Sequence, residues 1–104
     1  MLEELGADYQ QNAQIGRFNV DFLVGTLVIE CFGDFWHCNP AIWEPDDYNG
    51  SLHMRAGEKW AKDARRRQRL EEMGYRFHAF WESEIRDDRD TVRRVLAGII
   101  GERS

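Results

Sequence analysis

Residues 18–32 read FNVDFLVGTLVIECF, two apolar runs joined by Gly25 and Thr26. Enrichment in Val, Ile, Leu and Phe predicts strands over 18–24 and 27–32. A two-residue loop with Gly at its first central position predicts a hairpin between them. Counting outward from that loop sets Val24 opposite Leu27, Leu23 opposite Val28, Phe22 opposite Ile29 and Asp21 opposite Glu30. Like charges directly across a sheet are destabilising, so two acids interrupting apolar strands call for a proton or a cation between them. A divalent metal would meet that need, since Mg²⁺ commonly takes one or two carboxylates plus substrate phosphate and water. A one-residue slip would instead turn the acids to opposite faces and leave one to water or an arginine. The hairpin alone leaves both readings open.

The remaining chain supplies few elements. MLEEL at 1–5, followed by Gly6, resembles the last turn of a helix with its glycine stop, as in a chain cut from something longer. A short strand is expected over 9–12 and a long loop, containing Pro40 and Pro45, over 37–51. A helix should run from 52 or 55 to 73 and end at Gly74, a strand should occupy 75–81, and an amphipathic helix 90–100, with Asp90 as its N-cap. That order predicts an α/β domain, a small mixed sheet flanked by helices. At 104 residues the chain forms one domain, 1–104.

Composition excludes several classes. No apolar run approaches a membrane span and no basic-then-apolar leader is present. Cys31 and Cys38 are too few for a disulfide framework, which predicts a reducing, cytoplasmic setting. The net charge of -5 argues against a general nucleic-acid binder. Charge is local, however: residues 55–76 carry eight Lys or Arg against four acids, so a basic patch matters more than the total.

On the long helix, Trp60, Ala64 and Leu70 define one side at about 100° per residue. Asp63 and Arg67 fall on that side, whereas Lys62, Arg65 and Arg69 point away. An i,i+4 pair with Arg67 would explain Asp63 adequately. The outward arginines form either a solvated face or a phosphate contact. His37, seven residues past Glu30, would overhang the acid pair, where a neutral imidazole can take a proton from water near pH 7. A zinc site from Cys31, His37, Cys38 and His53 lacks the usual ligand spacing.

The ordered series VDF at 20–22, VIECFGDFWH at 28–37, Asp63, and RLEEMGYRFHAFWE at 69–82 resembles the very-short-patch-repair (Vsr)-like endonucleases of the PD-(D/E)XK superfamily. Related catalytic domains occur in some homing endonucleases. The resemblance runs from about residue 6 to 82 and implies a restriction-endonuclease-like core. It implies that Asp21 binds metal, that the Cys31 main-chain carbonyl assists, and that Glu30 matches the superfamily's metal-binding glutamate, which the repair enzymes lack. His37 matches the catalytic histidine, Asp63 a supporting acid on the same helix, and Phe35 and Trp36 the aromatics pressed into the DNA base stack. The repair enzymes' zinc ligands fall on Asp34, Asn39, Ala41 and Ser83, so no structural zinc is expected. The family's N-terminal glutamate would lie upstream of residue 1, which implies a fragment lacking an upstream helix and a separate DNA-recognition region.

The resemblance, joined to the Asp21–Glu30 register and His37, implies a Mg²⁺-dependent (Mn²⁺ substituting) endonuclease acting on double-stranded DNA. Catalysis would rest on Asp21, Glu30, His37 and Asp63, and DNA would meet Phe35, Trp36, Arg65, Arg66 and Arg69. A homing-type domain fits better than a mismatch-repair nicking enzyme, because the surrounding loops differ. Other readings are a non-catalytic DNA-binding module and a protein-interaction domain presenting Phe35, Trp36, Trp43 and Tyr48.

Overall fold

The hairpin forms with the register that counting gives. In the computed structural model, which describes residues 1–101, β2 (Phe18–Val24) and β3 (Leu27–Phe32) pair antiparallel through Phe22–Ile29, Leu23–Val28 and Val24–Leu27. Gly25 supplies the turn with φ +60°, a conformation that L side chains adopt at a cost. β1 (Gln10–Ile15) pairs antiparallel with β2, and β6 (Arg76–Trp81) pairs parallel with β3. The sheet order is therefore β1-β2-β3-β6, a mixed four-stranded sheet. The parallel β3–β6 pair requires a crossover, supplied by α1 (Ala56–Glu72). After β6 come α2 (Glu82–Asp87) and α3 (Arg89–Gly101).

Two apolar clusters fill the two faces of the sheet. Leu27, Ile29 and Phe80 meet Val92 and Leu96 of α3 on one side. Ala13, Ile15, Val20 and Val28 meet Leu70 of α1 on the other. Strand alternation should keep every second residue on one face, and β3 obeys. β1 and β2 do not: Tyr9, Phe22 and Val24 pack toward α3, while Ala13, Ile15, Phe18, Val20 and Leu23 pack toward α1. The exchange of faces falls at Asn12 and Asp21, the one position at which the β1–β2 pairing is skipped. Asn12 takes φ +52° there. Val20 and Asp21 thereby lean to the same side, while the register of the pair continues unchanged beyond the gap.

α1 ends in a Schellman motif. Gly74 has φ +96°, its N–H donates to Glu71 O (3.0 Å), and the Tyr75 N–H reaches back to Leu70 O (3.2 Å). Several boundaries depart from expectation. β1 extends to Ile15, beyond 12, because Ala13 and Ile15 find core on the α1 side. The expected long loop holds a two-residue pair, β4 (Tyr48–Asn49) with β5 (Met54–Arg55), which delays the helix start to Ala56. The N-terminal helical turn is a hydrogen-bonded turn, Gly6 N–H to Glu3 O at 3.1 Å. Asp90 sits inside the first turn of α3, favourable for the helix dipole but not the cap. Among the described residues no helix is long and apolar enough to cross a membrane.

Leu70 is wholly buried and anchors α1 to the sheet. Leu70→Ala should lower stability by about 3 kcal/mol, measured by urea denaturation.

Candidate active site

Because of the face exchange at Asp21, both acids of the hairpin open on the α1 side. They line a cavity of about 260 Å³ with Cys31, Phe32, His37, Lys59, Asp63 and Arg66. The backbone ladder stops one pair short of the acids, and side chains continue it. Asp21 N–H donates to Glu30 Oε2 (3.3 Å) and Cys31 N–H donates to Asp21 Oδ2 (2.8 Å). The expected juxtaposition of Asp21 and Glu30 thus holds, by side-chain bonding in place of a regular cross-strand pair. By strand alternation the Cys31 side chain lies with Ile29 on the opposite face, where burial, and after it the charges of Asp21 and Glu30, push its thiol up.

Glu30 is 5% exposed. Burial pushes its carboxyl above the ordinary glutamate value, the charge of Asp21 adds to this, and Arg66 opposes it. The opposing group is an ion pair from Arg66 Nη1 to Glu30 Oε1, while Arg66 Nη2 donates to Asn19 O at 2.8 Å. Arg66, expected among the residues that meet DNA, thus points into the acid cavity. The inward stripe of α1 is Ala56, Lys59, Asp63, Arg66 and Leu70, whereas Ala64 and Arg67 are exposed. Arg65 and Arg69 do face outward. Arg67 pairs with Glu71 (3.5 Å), leaving Asp63 to other partners.

Those partners define a second arrangement. His37 Nδ1 lies 2.9 Å from Asp63 Oδ2, and Lys59 Nζ lies 2.9 Å from Asp63 Oδ1. Burial acts to raise the Asp63 carboxyl, but hydrogen bonds from His37 and Lys59 outweigh it and hold the group below the usual aspartate value. An ionised Asp63 accepts only, so Nδ1 of a neutral His37 carries the proton and Nε2 carries the lone pair. The ring is also stacked on Phe32, centroids 4.0 Å apart and planes 6° from parallel. His37 is therefore fixed in tautomer and in plane.

The turn that presents His37 is tied at several points. His37 N–H bonds Gly33 O (3.0 Å), and Cys38, wholly buried, closes the turn with φ +51°. Such a conformation in a non-glycine residue persists only where its surroundings enforce it. Here Trp60 Nε1 donates to Cys38 O (2.6 Å) and Asn49 Nδ2 donates to Phe35 O (3.0 Å). Asn49 is 1% exposed and carries no signal in the sequence beyond being a loop amide. Asp34, Asn39, Ala41 and Ser83 are joined by hydrogen bonds: Asp34 Oδ1 accepts from Asn39 Nδ2 (2.7 Å) and Ser83 Oγ (2.9 Å), and Asn39 Oδ1 accepts from Ala41 N–H (3.0 Å). Phe35 and Trp36 project from this turn, 45% and 56% exposed.

Among the described residues no three His, Cys, Asp or Glu side chains come together as a metal cage, and Cys31, Cys38 and His53 do not join His37. With Asp63 held by His37 and Lys59, the cavity offers the Asp21 and Glu30 carboxylates and a main-chain strand end. That is the sparse, hard-oxygen set which fits Mg²⁺ when phosphate and water complete its shell.

The fold recurs in a solved structure, the homing endonuclease I-Bth0305I catalytic domain. It aligns with a TM-score of 0.57 over 91% of this chain and 81% of that one, at 23% identity. The two chains thus share one fold, a mixed four-stranded sheet flanked by helices. No family model matches the chain, and no curated protein matches it.

Because the folded Asp63 titrates below its unfolded value, its contribution is present above the ordinary aspartate range and is lost as pH falls through the folded value. Asp63→Asn should lower stability by about 2 kcal/mol at pH 7. The difference should shrink as urea melts are taken to pH values below 4.

Proposed function

We propose that this chain is the catalytic domain of a metal-dependent DNA endonuclease of the homing type, related to the Vsr-like branch of the PD-(D/E)XK superfamily. The observation that carries this reading is the meeting, in one cavity, of a carboxylate pair with a histidine held by a second acid. A pure binding surface has no need to bury Glu30 beside Asp21. The fold's likeness to a domain titled as that of a homing endonuclease supports DNA as the substrate.

In this reading Asp21 and Glu30, with the Cys31 carbonyl, hold Mg²⁺, which when bound stabilises charge on the scissile phosphate and the leaving oxygen. His37 accepts a proton from the attacking water at Nε2. Asp63 fixes the imidazole and stabilises the imidazolium that results, and Lys59 keeps Asp63 ionised. Arg65 and Arg69 meet backbone phosphates, while Phe35 and Trp36 press against exposed bases. The acidic total charge suits a domain that cuts DNA and depends on another segment for tight binding.

One observation favours a second reading, a non-catalytic DNA-binding module. Arg66 already neutralises Glu30, so the acid pair can rest without a metal. The two readings separate on supercoiled plasmid incubated with Mg²⁺ or Mn²⁺. Under the enzyme reading the wild type nicks or linearises it, and Asp21→Asn and His37→Ala each lose activity by about 10²-fold or more with unchanged circular dichroism. Full activity in both variants would remove the mechanism. Salt-sensitive DNA binding without cleavage under either ion would favour the binding module.

A further inference from the structure

Both oxygens of Glu30 are engaged, Oε1 by the Arg66 guanidinium and Oε2 by the Asp21 N–H (3.3 Å), and Asp21 Oδ2 is taken by the Cys31 N–H (2.8 Å). A divalent cation using Glu30 would therefore compete with Arg66 for the same carboxylate. We infer that Arg66 is a counter-ion that occupies the acid pair in the absence of DNA and transfers to a DNA phosphate on binding, so that duplex and divalent ion bind cooperatively. This rests on the metal site proposed above.

Charge supports the exchange. The cavity holds three carboxylates (Asp21, Glu30 and Asp63) against two cations, Lys59 and Arg66. With the acids ionised and His37 neutral, its net charge is one negative; removing Arg66 makes it two negative, the charge a divalent ion matches. Lys59 cannot take the same part, because it is committed to Asp63 at 2.9 Å. Arg66 and a divalent ion sharing Glu30 would repel each other across a short distance in a half-buried site.

Chemistry and position support the destination. A guanidinium binds phosphate through two parallel N–H donors, a geometry as good as the one it has with a carboxylate. The Arg66 side chain is 29% exposed, and its Nη2 bond to Asn19 O lies at an exposed position. Among the described residues its further polar and ring contacts are the Asn19 carbonyl at 2.8 Å and the face of Phe18 at 5.9 Å. Arg65 and Arg69 lie exposed on the same helix, so a phosphate backbone following them passes Arg66. A phosphate that draws Arg66 away exposes Glu30 to the ion, and an ion on Glu30 leaves Arg66 available for phosphate. Such coupling is reciprocal by linkage.

The test is Mn²⁺ affinity, read from the paramagnetic resonance signal of the free ion. The proteins are wild type, Arg66→Gln, Arg66→Lys and Asp21→Asn, all carrying His37→Ala to prevent cleavage. Without DNA, Arg66→Gln should bind Mn²⁺ about ten-fold more tightly than the parent, and Arg66→Lys, which keeps the charge, should stay near the parent. A short random-sequence duplex should tighten Mn²⁺ binding to the parent by a similar factor and leave Arg66→Gln unchanged. Arg66→Met replaces the Gln variant should circular dichroism show the latter unfolded. Equal Mn²⁺ affinity in parent and Arg66→Gln, with binding lost in Asp21→Asn, overturns the counter-ion role and leaves the metal site standing. Absence of Mn²⁺ binding in every protein, with and without duplex, overturns the metal site and this inference with it.

Discussion

Burial of one carboxylate organises this molecule. Glu30 stands near the end of a strand whose preceding residues, Leu27, Val28 and Ile29, are all core. A lone ionised carboxylate in such a place is strongly disfavoured, and a second acid beside it makes matters worse. The structure answers with three local adjustments. The β1–β2 pair skips a step at Asn12 and Asp21, which brings Asp21 to the side where its N–H can serve Glu30. Arg66 turns inward to supply positive charge. The turn after β3 folds back so that polar groups, and not apolar ones, close the cavity.

α1 is the element on which these adjustments converge. Its stripe at 56, 59, 63, 66 and 70 begins and ends in apolar residues and carries three charges between them. The helix is held at both ends, by Ala56 N–H on Asp47 O (2.8 Å) and by Leu70 in the core. Its middle is thereby free to present Lys59, Asp63 and Arg66 to the sheet without needing an apolar seam of its own. Stability comes from the ends and chemistry from the centre. Both of the aromatic contacts that steady the cavity, Phe32 on His37 and Phe18 near Arg66, are supplied by the hairpin strands.

Much of this is legible in the residues, and the exceptions have identifiable causes. The hairpin register follows from a glycine turn that permits one loop length, so the meeting of Asp21 and Glu30 can be counted from the sequence. The skipped step cannot, because Asn12 in the left-handed region leaves no mark in an alternating polar strand. The phase of α1 is misjudged by trusting Ala64 as an inward residue; a small side chain tolerates either face, and shifting the stripe to Asp63 and Arg66 turns the arginine into the cavity. Asn49 is illegible because a buried amide in a loop is chosen by the carbonyls it meets, Phe35 O among them. The α2 turn, with Glu84 accepting from Trp81 N–H (3.0 Å), hides in a short polar segment with no apolar periodicity. The resemblance to nuclease domains and the recurrence of the fold in a homing endonuclease domain agree on the frame. Neither of them speaks to Arg66.

The reach of the site's bonds along the chain has its own consequence. His37 and Asp63 are 26 residues apart and Glu30 and Arg66 are 36 apart, so neither contact forms until α1 has docked against a completed hairpin. Loop closure over such spans is slow to be rewarded. The parallel β3–β6 pair spans more chain still, 49 residues from Leu27 to Arg76, so the cavity and the sheet edge both depend on the same crossover. The alignment of His37 with Asp63 therefore depends on the docking of α1, which carries both Asp63 and the Trp60 that holds Cys38 O.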